Sequence, residues 1–177
     1  MDSHEVQRIE RGMQWGALAT VLSGVVVLGL MALHLWPSGR PLSVQVVELI
    51  GRQYVGRQGA PVATWLLAGL IQLIWGALCG GFLAVIVDRV NLTNALGFGA
   101  LRWFWTQVMI APALGWGDFG LLGLPTVWLA TLLPHLAYAL SLGWLMRQED
   151  EGHAPIPLHL HWPHLHWKPL TARGRRP

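Results

Sequence analysis

Long stretches without charge divide the chain. No Asp, Glu, Lys or Arg occurs in residues 12–39, 58–87 or 119–146, and only Arg102 interrupts the apolar stretch between Arg89 and Asp118. Each charge-free stretch exceeds the roughly 20 apolar residues that cross the hydrocarbon core of a bilayer as an α-helix. The pattern therefore predicts an all-α integral membrane four-helix bundle. The predicted spans cover about residues 13–36, 62–87, 94–116 and 121–146.

Local signals mark the ends of these spans. Trp15 and Trp36 flank the first span and are 21 positions apart, or roughly 31 Å of helix, which matches one interfacial tryptophan per leaflet. The loop Asn91–Asn94 supplies cap residues before the third span. The glycine-rich segment Gly115–Gly120 predicts a tight turn, so the third and fourth spans should form an antiparallel hairpin.

The first loop and the tail differ from the spans. Apolar residues recur at helical spacing in the first loop at Leu42, Val46, Leu49, Ile50 and Tyr54. This spacing predicts a short amphipathic helix, either at the membrane interface or across the top of the bundle. Residues 148–177 hold five of the eleven prolines and an acidic patch. We therefore predict a transmembrane domain over 1–147 and an extended Pro/His/Trp-rich cytoplasmic tail over 148–177.

Composition and charge support a membrane location and an orientation. The chain is 53% hydrophobic and 12% charged, whereas a soluble domain carries about 25% charged residues, so a soluble single domain is excluded. Basic residues collect on the cytoplasmic side of spans. With the N-terminus inside, the inner side holds Arg8, Arg11, Arg89, Arg147, Lys168, Arg173, Arg175 and Arg176, and the outer side holds Arg40, Arg52 and Arg57. Both termini are therefore predicted to be cytoplasmic.

Small residues recur at every fourth position in two spans. The first span carries Gly12, Gly16 and Gly24, and the second carries Gly76 and Gly80. Small residues let helix backbones approach closely, which matters in lipid because no hydrophobic force drives apolar helices together. These faces are predicted to pack helices within the chain in preference to another subunit.

Arg102 is the one charge that lies well inside a predicted span. An intramembrane arginine indicates an ion or substrate path, or a pairing with a carboxylate. The alternative is that its long stem extends to the inner headgroups. No predicted span contains an acidic residue that could pair with it.

Histidines are the candidate ligands. His34 lies near the end of the first span and His135 midway along the fourth, where imidazole could serve as an axial ligand to haem or a chlorin. Hydrogen bonding across helices is the structural alternative. The tail repeats a His-Leu-His-Trp unit, and its candidate metal ligands are His159, His161, His164 and His166. His-rich tracts favour zinc, copper or nickel, although the same segment could lie against lipid or a partner subunit.

Several short segments from Gly59 to Met146 carry a family resemblance. They are Gly59-Ala60-Pro61, Trp75-Gly76, Ala95–Gly99, Met109-Ile110-Ala111-Pro112 and His135-Leu136-Ala137-Tyr138. In this order they resemble an uncharacterised family of small bacterial four-helix membrane proteins. The resemblance implies a four-helix fold in a bacterial inner membrane and little about activity.

The sequence carries no catalytic signature. It has no Gly-x-Ser-x-Gly, His-Glu-x-x-His or phosphate-binding loop, and no pair of carboxylates in a span. The leading hypothesis is a non-catalytic accessory subunit of a larger respiratory or photosynthetic membrane complex. Its expected partners are the lipid bilayer and other membrane subunits, with no nucleic acid and no required cofactor. The alternatives are a His-ligated cofactor or metal binder, and a small transporter or channel built around Arg102.

Overall fold

The computed structural model describes residues 3–37, 40–51, 61–123 and 125–150, and all regular structure in these ranges is helical. The α-helices are α1 (Ser3–Ala32), α2 (Leu42–Ile50), α3 (Pro61–Ile86), α4 (Leu92–Trp105), α5 (Ala111–Ala113) and α6 (Thr126–Asp150). A π-helical turn, Thr106–Ile110, joins α4 to α5, and a 3-10 segment, Asp118–Gly123, precedes α6. The prediction of an all-α chain is confirmed. Tyr54 and most of the predicted tail lie outside the described residues.

Three helices are long and apolar enough to cross a membrane: residues His4–Ala32, Val62–Ile86 and Thr126–Glu149. They correspond to the predicted spans 13–36, 62–87 and 121–146. Four boundaries differ: α1 begins at Ser3 and ends at Ala32, before His34, and α6 begins at Thr126 and ends at Asp150.

The predicted third span, 94–116, is helical from Leu92 to Ala113 but is not one α-helix. Pro112 lacks an amide hydrogen, and its ring would clash with the carbonyl four residues earlier in a regular α-helix. The π-turn lies directly before it, and the Ala111 amide donates to the carbonyl of Thr106, five residues back. A π-turn of this kind absorbs one extra residue within a helix. The break explains why this segment has no single α-helix of spanning length.

The helices pack in the order α3, α1, α6, α4, and α2 lies against α3. The main core lies where α1, α3, α4 and α6 converge and includes Trp15, Ala19, Leu83, Leu142 and Leu145. A helix, α2, is present in the first loop as predicted, but it buries Val44 and Val47 against Ala68 of α3. The predicted apolar face is wrong, because Leu42, Val46 and Leu49 are only partly buried and Ile50 is exposed. The placement of α2 at the membrane interface or across the top of the bundle stays a prediction.

The α1–α3 interface is built from glycines. A Cβ on Gly12 would lie 2.7 Å from the Gly80 carbonyl oxygen, and a Cβ on Gly16 would lie 2.9 Å from Gly80 Cα. A Cβ on Gly76 would overlap the Thr20 hydroxyl. These helices are therefore in backbone contact, and no larger residue fits without moving them apart. Gly24 follows the same spacing but does not take part, because a Cβ there would meet no atom within 4 Å.

The α4–α6 hairpin has a cap at its start and a glycine turn at its tip. Asn91 and Asn94 form reciprocal side chain to backbone bonds of 3.0 and 3.2 Å, which is the capping role predicted for this loop. At the tip, Gly117 and Gly120 have φ angles of 77° and 70°, a region that L side chains rarely adopt. The turn brings α6 back along α4, so the predicted antiparallel hairpin is present.

Candidate functional site

Arg102 lies in the middle of the bundle on the face of α4 that meets α6. Arg102 is only 9% exposed, and its guanidinium carbon is 4.0 Å from the centre of the Tyr138 ring. Ten residues separate it from the start of α4 at Leu92, or about 15 Å of helix. Tyr138 lies twelve residues from either end of α6. The guanidinium is therefore directed into the bundle, and the alternative of a stem extended to the headgroups does not hold in this structure.

Tyr138 connects Arg102 to α3. Its ring supports the guanidinium through a cation–π contact, and its hydroxyl donates a 2.8 Å hydrogen bond to the Gly76 carbonyl. Three helices therefore meet at one side chain. Sequence reasoning did not identify Tyr138 as a site residue, since the only signal is a single tyrosine in an apolar span.

The guanidinium lacks acceptors. Nε and Nη1 of Arg102 are buried without a hydrogen-bond partner among the described residues. A cation–π contact contributes about 0.5–2 kcal/mol, whereas burying a charged group costs several kcal/mol of lost hydration. Tyr138 therefore offsets only part of the cost, and an anionic acceptor would offset the rest.

His135 uses both ring nitrogens within the bundle. Nδ1 is 2.6 Å from the Thr131 carbonyl, and Nε2 is 3.2 Å from the Thr106 hydroxyl. A carbonyl only accepts, so Nδ1 carries the hydrogen. The Thr106 hydroxyl also lies 3.1 Å from the Arg102 carbonyl, and its single hydrogen goes either to that carbonyl or to Nε2. Nδ1 is therefore committed to Thr131, and the Thr106 hydroxyl covers Nε2. The structure thus places His135 in the predicted hydrogen-bonding role rather than the cofactor role.

The other predicted ligands are not brought to this site. His34 lies in the turn after α1 with φ 57° and an exposed side chain. No group of three His, Cys, Asp or Glu residues able to hold a metal occurs in the described part of the chain. His159, His161, His164 and His166 lie outside the described residues, so the predicted metal site in the tail stays a prediction.

A second polar cluster lies one turn beyond Arg102. Gln107 is fully buried, and its amide nitrogen donates to the Thr131 hydroxyl, which also accepts a 3.1 Å bond from Trp103 Nε1. The Gln107 carbonyl oxygen has no partner among the described residues. Sequence reasoning missed this cluster, although a glutamine in an apolar span was a visible signal.

A narrow polar cleft surrounds the inner side of Arg102. It is lined by Thr20, Ser23, Gln72, Arg102, His135 and Tyr138 and holds about 10 Å³, roughly the room needed for one water molecule. A cavity of about 380 Å³ between α1, α2 and α3 shares Thr20, Ser23, Gln72 and His135 with this cleft. The polar cleft therefore adjoins this larger cavity.

A wider groove separates α3 from α4, and we call it the α3–α4 groove. It holds about 470 Å³, and its lining includes Trp75, Leu78 and Cys79 of α3, Arg102 and Trp105 of α4, and Thr106 of the π-turn. The rings of Phe82 and Phe98, with centroids 6.2 Å apart, bring the two helices together at one end. The buried lone thiol of Cys79 lies in this lining. Arg102 thus borders both the polar cleft and the groove.

One end of the bundle collects charged side chains. Arg8 pairs with Asp88 at 3.0 Å, and Arg11 pairs with Glu149 at 3.2 Å. The Trp15 indole also donates to Glu149. Because these partners come from α1, α6 and the loop after α3, they hold three elements together at this end. Asp88 and Glu149 therefore already have basic partners, and they lie far along the helices from Arg102.

Comparisons with known proteins find no family model, no curated protein and no solved structure that matches the chain. The resemblance to small bacterial four-helix membrane proteins therefore stays a prediction.

Proposed function

We propose that the protein is a non-catalytic accessory subunit of a larger membrane complex of the respiratory or photosynthetic type. One observation carries the proposal: a guanidinium is buried at mid-bundle, and the described residues offer no carboxylate to it. No acidic residue lies between Glu10 and Glu48, between Glu48 and Asp88, or between Asp88 and Asp118. An unpaired buried charge is costly. Such a charge is consistent with a protein that binds another subunit, because the partner can supply the opposite charge.

The proposal includes four spans in a bacterial inner membrane. The fourth span would be the interrupted helix Leu92–Ala113, whose 22 residues correspond to about 33 Å of ideal helix. Arg8, Arg11 and Arg89 lie at the same end of the bundle, whereas Arg40 lies beside α2 near the other. Since basic residues collect on the inner side, both ends of the described chain would face the cytoplasm.

The other two hypotheses have less support. To ligate a haem or chlorin, His135 would have to leave the Thr131 carbonyl or the Thr106 hydroxyl, and His34 lies apart from it in the turn after α1. A transporter or channel would need a path through the bundle. The polar cleft at Arg102 holds only about 10 Å³, which is roughly the room for one water molecule.

The first test is extraction of the full-length protein from native membranes in a mild detergent, followed by native electrophoresis and mass spectrometry of the band. We expect the protein to migrate in stoichiometric association with other membrane subunits. Migration at the mass of the chain alone, with no co-migrating polypeptide, would overturn the proposal.

A further inference from the structure

The α3–α4 groove is lined by hydrogen-bond donors without acceptors. Trp75 and Trp105 are 49% and 56% exposed on its two walls. Neither indole N–H has an acceptor among the described residues. Arg102 also lines the groove, and its Nε and Nη1 are buried without a partner. Indole and guanidinium groups only donate. The complement of this surface is therefore a group that only accepts and carries negative charge.

The depth of these donors restricts what can fill the groove. Trp75 lies eleven residues from the end of α3 at Ile86, or about 16 Å along the helix. Tryptophans that face lipid are usually found at the membrane interfaces, whereas these two lie near the level of Arg102. Lipid tails contain no acceptors, so lipid in the groove would leave the N–H groups unsatisfied.

Among the described residues, neither the chain itself nor a second copy offers an acidic side chain at this depth. Asp88 and Glu149 lie at one end of the bundle and Asp118 lies at the tip of the α4–α6 hairpin. A second copy in the same orientation would carry its carboxylates at the same levels. A fatty acid or lipid headgroup favours the membrane surface, about 15 Å from the centre. A transmembrane helix, in contrast, holds a carboxylate at mid-depth through its own backbone.

We propose that a transmembrane helix of another subunit docks in the α3–α4 groove and presents an Asp or Glu carboxylate to Arg102. This inference rests on the proposed function and names the surface and the chemistry of the partner. The carboxylate pairs with the guanidinium of Arg102, which borders the groove, and the partner helix covers Trp75 and Trp105. Tyr138 holds the guanidinium in place from the opposite side.

Photo-crosslinking in native membranes tests the position of the partner. A benzoylphenylalanine replaces Trp105 in the groove, and a matched control replaces Leu129, which is 47% exposed on α6 outside the groove. We expect the groove position alone to crosslink to one polypeptide, through a peptide whose apolar stretch contains Asp or Glu. Crosslinks only to lipid, only to a second copy, or to a helix without a carboxylate would overturn the inference.

The substitution Arg102→Met tests the charge pairing. A methionine of similar length removes an uncompensated buried charge, so the isolated protein should unfold at a higher temperature, while the yield of the complex should fall at least tenfold. Arg89→Met, which removes an exposed charge in the loop after α3, should leave both readouts unchanged. A lower unfolding temperature for Arg102→Met, or an undiminished complex, would show that Arg102 is satisfied within its own chain and would overturn the inference.

The two proposals fail separately. If the wild-type protein migrates in a complex and Trp105 gives no protein crosslink, the partner lies on another face and only the docking inference fails. If the wild-type protein migrates alone, both the proposed function and the docking inference fail.

Discussion

The two sides of α3 illustrate two ways in which a helix can meet its surroundings. On one side, Gly76 and Gly80 lie in backbone contact with Gly16 and Gly12 of α1. On the other side, Trp75, Leu78 and Cys79 line a groove of about 470 Å³ toward α4. The first side is complete within the chain, whereas the second exposes large side chains and borders a cation without acceptors.

The difference shows that hydrophobicity alone does not decide which faces close. Both sides of α3 are apolar, and lipid is as apolar as either of them, so packing must come from shape and polar contacts. Glycines bring the backbones of α1 and α3 together along a continuous surface. Tryptophan and leucine hold α4 away from α3 and leave room for another element. Small residues therefore indicate an interface that is closed within the chain, which we call the finished side of α3. Exposed tryptophans at mid-depth indicate a face that the chain leaves uncovered.

The largest expected effect breaks the finished side. Gly16→Leu would place a side chain where even a Cβ would lie 2.9 Å from Gly80 Cα, so α1 and α3 must separate. Overpacking a core costs about 1–3 kcal/mol, and we expect about 3 kcal/mol here because backbone blocks the new side chain. The free energy of unfolding by SDS titration in mixed micelles measures the loss.

Gly29→Leu is the matched control for this substitution. Gly29 lies on the same helix, and a Cβ there would meet no atom within 4 Å. We expect a change within about 0.5 kcal/mol, as for substitutions away from packed features. Equal losses at Gly16 and Gly29 would mean that leucine destabilises α1 itself, whether or not α3 is nearby. The comparison between the two sides of α3 would then fail.

The next effect tests the link between the two sides, which is Tyr138. Tyr138→Phe removes the hydrogen bond to the Gly76 carbonyl and should cost about 1 kcal/mol. Tyr138→Leu also removes the aromatic face beneath Arg102 and should cost about 2 kcal/mol in total. Repeating both substitutions in an Arg102→Met background separates the terms, since the extra cost of leucine should then shrink. An unchanged difference would show that the cation–π contact contributes nothing.

The long helices could be predicted from the sequence because charged residues are absent from each of them over most of its length. Three charge-free stretches correspond to α1, α3 and α6, and the Asn91–Asn94 loop to the capping box of α4. The π-turn before Pro112 could not be read as precisely, because a proline signals a disturbed helix without stating its form.

The candidate site could be predicted only in part. The unusual charge of Arg102 was visible, but the direction of its stem depends on which face of α4 meets α6, and a single sequence does not contain that rotation. The same holds for the Thr106 and Thr131 partners of His135. Gly24 shows the limit of a spacing argument: it continues the glycine pattern, yet it lies beyond the point where α1 and α3 separate.

The smallest expected effect concerns the hydrogen bond between α1 and α6 that lies next to Gly24. Ser23 donates a 2.8 Å hydrogen bond to the Pro134 carbonyl of α6, one position before Gly24. Interhelical hydrogen bonds in membrane proteins average about 0.6 kcal/mol, so Ser23→Ala should lower the free energy of unfolding by about that amount in the same titration. A loss close to that of Gly16→Leu would mean that hydrogen bonding holds α1 more firmly than glycine packing does. The position of α1 against α3 would then depend mainly on its hydrogen bond to α6. Close glycine packing would no longer explain why this side of α3 is closed and the groove is open.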